Sequence, residues 1–206
     1  MTFSSSATDV TPIFVIDASV VINLNASRHA PTIIQATEWK WIITANAHDE
    51  LRVGAEKGHA DFEALEKLIA AGLIETQPIG EAAFADYDSL VGGPAGKTLD
   101  DGEAATLALA IELGATALID ERKARTLAAA RFQALPILST AAILASELVQ
   151  VALGEHHRSA ILGALRGARM RVPEDSLDEI IGIIGDEEAA LCPSLPRSAR
   201  PLRAIA

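Results

Sequence analysis

Short aliphatic runs alternate along this chain with longer stretches in which apolar residues recur every three or four positions. IFVID (13–17), WIIT (41–44), LIETQPI (73–79), ATALID (115–120) and LPILS (135–139) are five runs of strand length. Several are apolar at consecutive positions, as strands buried on both faces are. Helical patterns lie between them. Ser19 can cap one that runs through Val20, Val21 and Leu24, and Pro31 suits the first turn of another over 31–38. Helices are further predicted over 47–58 and 60–71. In the latter, Phe62, Leu65, Leu68 and Ile69 share one side, with Asp61, Glu63, Glu66 and Lys67 opposite. Others follow over 81–90, over 101–113 with Gly114 as its C-terminal cap, and from 121 to 132. Alternation of strand and helix through residue 139 predicts an α/β fold, with a mostly parallel sheet of four to five strands and helices on both faces. Three more helices, at about 140–152, 155–170 and 174–184, follow without a strand.

At 206 residues, half of them apolar, the chain can bury one complete core. The expected organisation is a disordered lead-in over 1–11, a main domain over 12–150, a helical extension over 151–190 packed on it, and a flexible tail over 191–206. A single cysteine, Cys192, excludes an internal disulfide, and the first residues lack the basic and apolar regions of a signal peptide. No apolar run reaches the roughly 18 residues a membrane span needs. The expectation is a soluble protein of a reducing cytoplasm, with no membrane partner. Net charge is −11, and residues 1–190 hold 14 basic against 28 acidic side chains. Such a balance opposes non-specific affinity for nucleic acid, which depends on cationic neutralisation of phosphates. It leaves room for an enzyme whose bound cations offset charge locally.

The acids are not scattered at random. Asp17 and Asp120 each end a strand run and open a helix, and the carboxyl ends of strands are where catalytic groups collect in open α/β sheets. As a metal ligand Asp17 would have Ser19, two residues on, to fix a carboxylate, water or substrate phosphate by hydrogen bond, while helix capping would by itself account for Asp17. Glu50 follows His48 and Asp49 in what reads as the first turn of its helix, where the dipole favours acids whatever their function. Asp100 and Glu103 have the spacing of a capping box. Together with Asp101 they place three acids at one end of a strongly apolar helix, more than capping requires. Arg122 and Lys123 are candidates to hold a substrate phosphate, although a solvated surface is the simpler reading. Glu121 and Arg125 have the spacing of an exposed ion pair. GGPAGKT (92–98) fails as a phosphate-binding loop because Val91 stands where the pattern needs glycine. Adjacent His156 and His157 would not face each other on a helix.

FVIDASVVINL, the acid at Glu50, LDDGEAATLALAIELGATALIDERKAR and LPIL together resemble the PIN-domain family, most closely its prokaryotic branch of toxin-type ribonucleases. The resemblance covers about residues 12–170, with 98–126 the most specific part. It implies a PIN-like three-layer α/β/α sandwich and Mg²⁺- or Mn²⁺-dependent cleavage of RNA. Asp17, Glu50, Glu103 and Asp120 match the family's four acids. The third is open between Glu103 and Asp101, so Asp17, Asp120, Glu103 and Asp101 are the candidate ligands of one or two cations. Ser19, Arg122 and Lys123 are the candidate positioning residues. The resemblance also implies a toxin of a toxin–antitoxin pair, held by a small antitoxin protein, and a homodimer is a further expectation from the C-terminal helices. The alternative is a PIN-fold protein-interaction module without effective chemistry. Phosphotransfer at Asp17 ranks lower, because Ser19 stands where that chemistry needs a second aspartate.

Overall fold

A computed structural model describes residues 11–196. Most of the lead-in expected over 1–11 and the end of the tail expected over 191–206 lie outside the described residues. Five parallel strands, β1 (Ile13–Ile16), β2 (Lys40–Thr44), β3 (Glu75–Gln77), β4 (Thr116–Leu118) and β5 (Ile137–Leu138), form one sheet in the order β3-β2-β1-β4-β5. Successive side chains of a strand point to opposite faces, so each central strand feeds two cores. Phe14, Ile16, Trp41, Ile43 and Leu118 face one layer of helices, while Val15, Ile42 and Ala117 face the other. Both faces are therefore apolar, which is why the strands read as unbroken aliphatic runs. The result is the three-layer α/β/α arrangement expected.

The first layer contains α1 (Ala18–Ser27), α2 (Ala30–Ala36), α3 (Ala45–Glu56) and α4 (Asp61–Ala70). The second contains α5 (Phe84–Val91), α6 (Asp101–Leu113) and α7 (Arg122–Arg131). Helix α6 is buried along Ala104–Ala110, and its alanines let it lie close on the sheet. Among the described residues no helix is long and apolar enough to cross a membrane.

The chain beyond residue 139 completes the first layer. It forms α8 (Thr140–Ala145), α9 (Glu147–Leu153), α10 (His157–Gly167), α11 (Glu174–Ile184) and α12 (Asp186–Ala190). The single helix expected over 140–152 is two, because Ser146 adopts an extended conformation and its hydroxyl caps the second by accepting from the Val149 N–H. Val149, Ile161, Leu165, Ile180 and Ile184 share one core with Phe14 and Ile16, so the helices beyond 150 pack on the rest of the fold. Cys192 and Leu195, the first part of the segment expected as a tail, are buried in that same core.

Candidate active site

Strand order reverses between β1 and β4: from β1 the chain moves outward to β2 and β3, and from β4 outward to β5. The connections leaving the carboxyl ends of those two strands diverge and open a crevice, the usual ligand site of such sheets. Asp17 immediately follows β1 and Asp120 lies two residues beyond β4, so the two acids form the floor of that crevice. Each is only 4% exposed. Glu50 from α3, Asp100 and Glu103 from the start of α6, and Glu121 line a cavity of about 250 Å³ around them.

Each floor carboxylate is held by neutral donors. Asp17 caps α1, its Oδ2 accepting from the Ser19 hydroxyl at 2.6 Å and the Ser19 N–H at 3.2 Å. Capping and lining the cavity are thus one arrangement. Asp120 Oδ1 accepts from the Thr140 N–H at 2.7 Å, and its Oδ2 from Thr140 Oγ1 and Asn23 Nδ2, both at 2.6 Å. Neither Asn23 nor Thr140 was singled out from sequence. Asn23 had a signal, as the polar residue within the apolar run VVINL.

Helix α3 begins at Ala45, so Glu50 lies in its second turn, beyond the reach of the helix-end dipole that could have explained it. Its Oε2 would be 2.7 Å from a Cβ added at Gly102. Glycine there lets the carboxylate lie against the first turn of α6. The Asp100 N–H donates to Glu103 Oε2 at 3.4 Å, one half of the capping box the sequence predicted.

Asp101, a candidate ligand from sequence, is turned away from the cavity. Its Oδ1 accepts from the Tyr87 hydroxyl and its Oδ2 from Asn46 Nδ2 at 2.9 Å, tying α6 to α5 and α3. That bond pushes the Tyr87 phenol up to about 12. Its neighbour Asp100, read from sequence as part of the acidic cluster but not named as a ligand, lines the cavity instead. Arg122 and Lys123 also lie outside the lining. The cations that line it are Arg169 and Arg171, from the connection between α10 and α11. Glu121 pairs with Arg171 at 2.6 Å and Arg125 with Asp175 at 3.4 Å, so the expected Glu121–Arg125 pair is not formed.

No lysine or arginine among the described residues forms an ion pair with Asp17, Glu50, Asp100, Glu103 or Asp120. Burial therefore acts on these groups without a compensating charge, and it raises Asp17, Glu50 and Asp120 above the usual carboxylate range. Hydrogen bonds from Ser19, and from Thr140 and Asn23, partly offset this at the two aspartates. Glu103 is raised to about 7, first by burial and then by the charge of Asp17. Among the described residues no group of three or more His, Cys, Asp or Glu side chains is already arranged to hold a metal ion. The donor set nevertheless fits a hard divalent cation. It consists of carboxylate oxygens converging on one cavity, held by neutral groups and short of positive charge.

A parallel sheet with acids at its switch point defines a carboxylate-lined site suited to a hard cation. A family model described as PIN domain matches residues 13–186, and the chain belongs to the PIN-domain family. PIN domains are generally nucleases and typically bind divalent metals. No curated protein matches the chain.

Proposed function

We propose that this protein is a Mg²⁺- or Mn²⁺-dependent endoribonuclease, and that it serves as the toxin of a toxin–antitoxin pair neutralised by a small partner protein. The observation that carries the nuclease reading is the convergence of Asp17, Glu50, Asp100, Glu103 and Asp120, from four separate stretches of chain, on one cavity without a lysine or arginine partner. Asp17, Asp120 and Glu103 would hold the cation, with Glu50 and Asp100 beside them. The chemistry a divalent ion would supply there is a more acidic water for attack on phosphorus and stabilisation of charge on the departing oxygen. Ser19 fixes the orientation of Asp17. Asn23 and Thr140 do the same for Asp120, holding its oxygens against the repulsion of Asp17. A protein-interaction module without chemistry would have no use for so many uncompensated acids. The toxin role rests on the resemblance of the LDDGEAA and LIDE segments to that branch of the family.

Asp17→Asn tests the proposal. The amide keeps the shape and the Ser19 contacts while removing a charge that burial already penalises. Incubated with labelled RNA and Mn²⁺, wild-type protein is expected to cleave and the variant not to, with the metal-free variant melting at or above the wild-type temperature. Equal cleavage by the two proteins would falsify the assignment.

A further inference from the structure

The acids account for where a cation binds, but they repel the phosphates that must approach it. Six acids line the cavity, and Arg169 and Arg171 are its only cationic lining residues among those described. We infer that the connection between α10 and α11 is the phosphodiester-binding arm of the site, with Arg169 and Arg171 gripping backbone phosphates of the RNA strand. This rests on the nuclease reading above.

The arm is anchored between its two cations. Met170 is buried, and its N–H donates to the Ala164 carbonyl at 3.1 Å, while Arg169 and Arg171 on either side are exposed. Arg171 is held over the cavity by Glu121, the residue directly after Asp120. Arg169 forms no ion pair or side-chain hydrogen bond among the described residues, so its guanidinium is available to a ligand. A guanidinium presents paired N–H donors that match two phosphate oxygens. Arg169 also has a φ of 55°, in the left-handed region where a helix end ordinarily carries glycine. Arg28 and Glu38 share that conformation outside the cavity, so the backbone alone assigns nothing. At residue 169 the same conformation carries a cation that lines the acidic cavity.

That conformation also gives a clean test, because Arg169→Gly removes the charge and is expected to keep the fold. Binding of a fluorescein-labelled single-stranded RNA is measured by anisotropy in Ca²⁺ over a series of KCl concentrations, with thermal melts of the same samples. Arg169→Gly is expected to weaken binding on the order of tenfold. Its salt slope should flatten by about 0.7 for the lost phosphate contact, with a melting temperature no lower than wild type. Arg171→Gln should act in the same direction, and Lys67→Gln, exposed on α4 outside the cavity, should bind as wild type does. Wild-type affinity and salt slope in Arg169→Gly would overturn the arm, as would an equal loss in Lys67→Gln. If the wild-type protein binds and cleaves RNA while the arm variants match it, only the arm falls. If the wild type neither binds RNA nor cleaves it with Mn²⁺, the nuclease reading falls and the arm with it.

Discussion

Gly102 is the residue on which the shape of the acidic cavity turns. A Cβ there would meet Glu50 Oε2 at 2.7 Å, and the backbone of Ala47 only at 3.5 Å. Gly102→Ala therefore displaces the flexible end of Glu50 rather than the fold, and alanine is the better helix former. The melting temperature is expected to hold or rise while Mn²⁺ binding, measured by calorimetry, weakens. A variant with unchanged Mn²⁺ affinity would remove Glu50 from the site. Asp17, Glu103 and Asp120 were visible in the sequence because each stands at the edge of a readable element, whereas Glu50, in the second turn of α3, was favoured as a site acid only through the family resemblance. The sequence left the third acid open between Glu103 and Asp101, since neighbouring residues at a helix start point in different directions and only the finished packing shows which one lines the cavity. The partners that claim Asp101, Tyr87 and Asn46, come from other helices. Arg169 and Arg171 stand out in the sequence only as a basic stretch with Arg166 that could grip a partner, and nothing local puts them at the cavity, for they lie some fifty residues beyond Asp120 in a connection whose course depends on the finished core.

At the level of elements, the strands were legible because burial on both faces leaves runs such as IFVI and KWIIT with few polar interruptions. Helix α6 was legible from its apolar run and its capping box. The role of α10 was not, because an amphipathic helix does not name the surface its apolar face will meet. It meets α1, and Gly163 sets how closely. A Cβ at Gly163 would lie 2.5 Å from the Ala26 carbonyl oxygen and 3.3 Å from Ser27 Cα, both backbone atoms that cannot swing aside. Gly163→Ala should therefore separate the helices and destabilise by about 1–3 kcal/mol. Gly182, inside α11, has nothing within 4 Å of its Cβ position, so Gly182→Ala should stabilise by up to about 1 kcal/mol. Thermal melts of the two variants should move in opposite directions. If both rose, intrinsic helix propensity alone would govern and the close α1–α10 packing would count for nothing. Because α1 also carries Ser19 and Asn23, the downward shift at Gly163 should come with weaker Mn²⁺ binding.

For the molecule as a whole, the acidic cavity is expected to make stability depend on pH and, on the nuclease reading, on divalent cations as well. Glu103 is raised from 4.5 to about 7. Between those values the folded protein holds a proton that the unfolded chain has lost, so stability falls as pH rises through that window. Asp49 and Glu63 are shifted the other way by Arg52 and Lys67, and their contribution is lost only as pH falls below the ordinary carboxylate range. The two effects occupy different pH ranges and can be read apart. Metal-free protein is expected to melt higher at pH 5.5 than at pH 8. Mn²⁺ should raise the melting temperature strongly at pH 8, where the cavity is ionised, and little at pH 5.5, where protons compete for the same oxygens. The net charge of −11 also disfavours the compact state as pH rises, so the pH slope alone does not isolate the cavity. Glu103→Gln does isolate it. The variant cannot titrate at that position, and its melting temperature should change less between pH 5.5 and pH 8 than that of the wild type. An identical pH slope in the two proteins would mean that the repulsion among these carboxylates is relieved without an added cation. The charge deficit at the centre of the nuclease reading would then not exist.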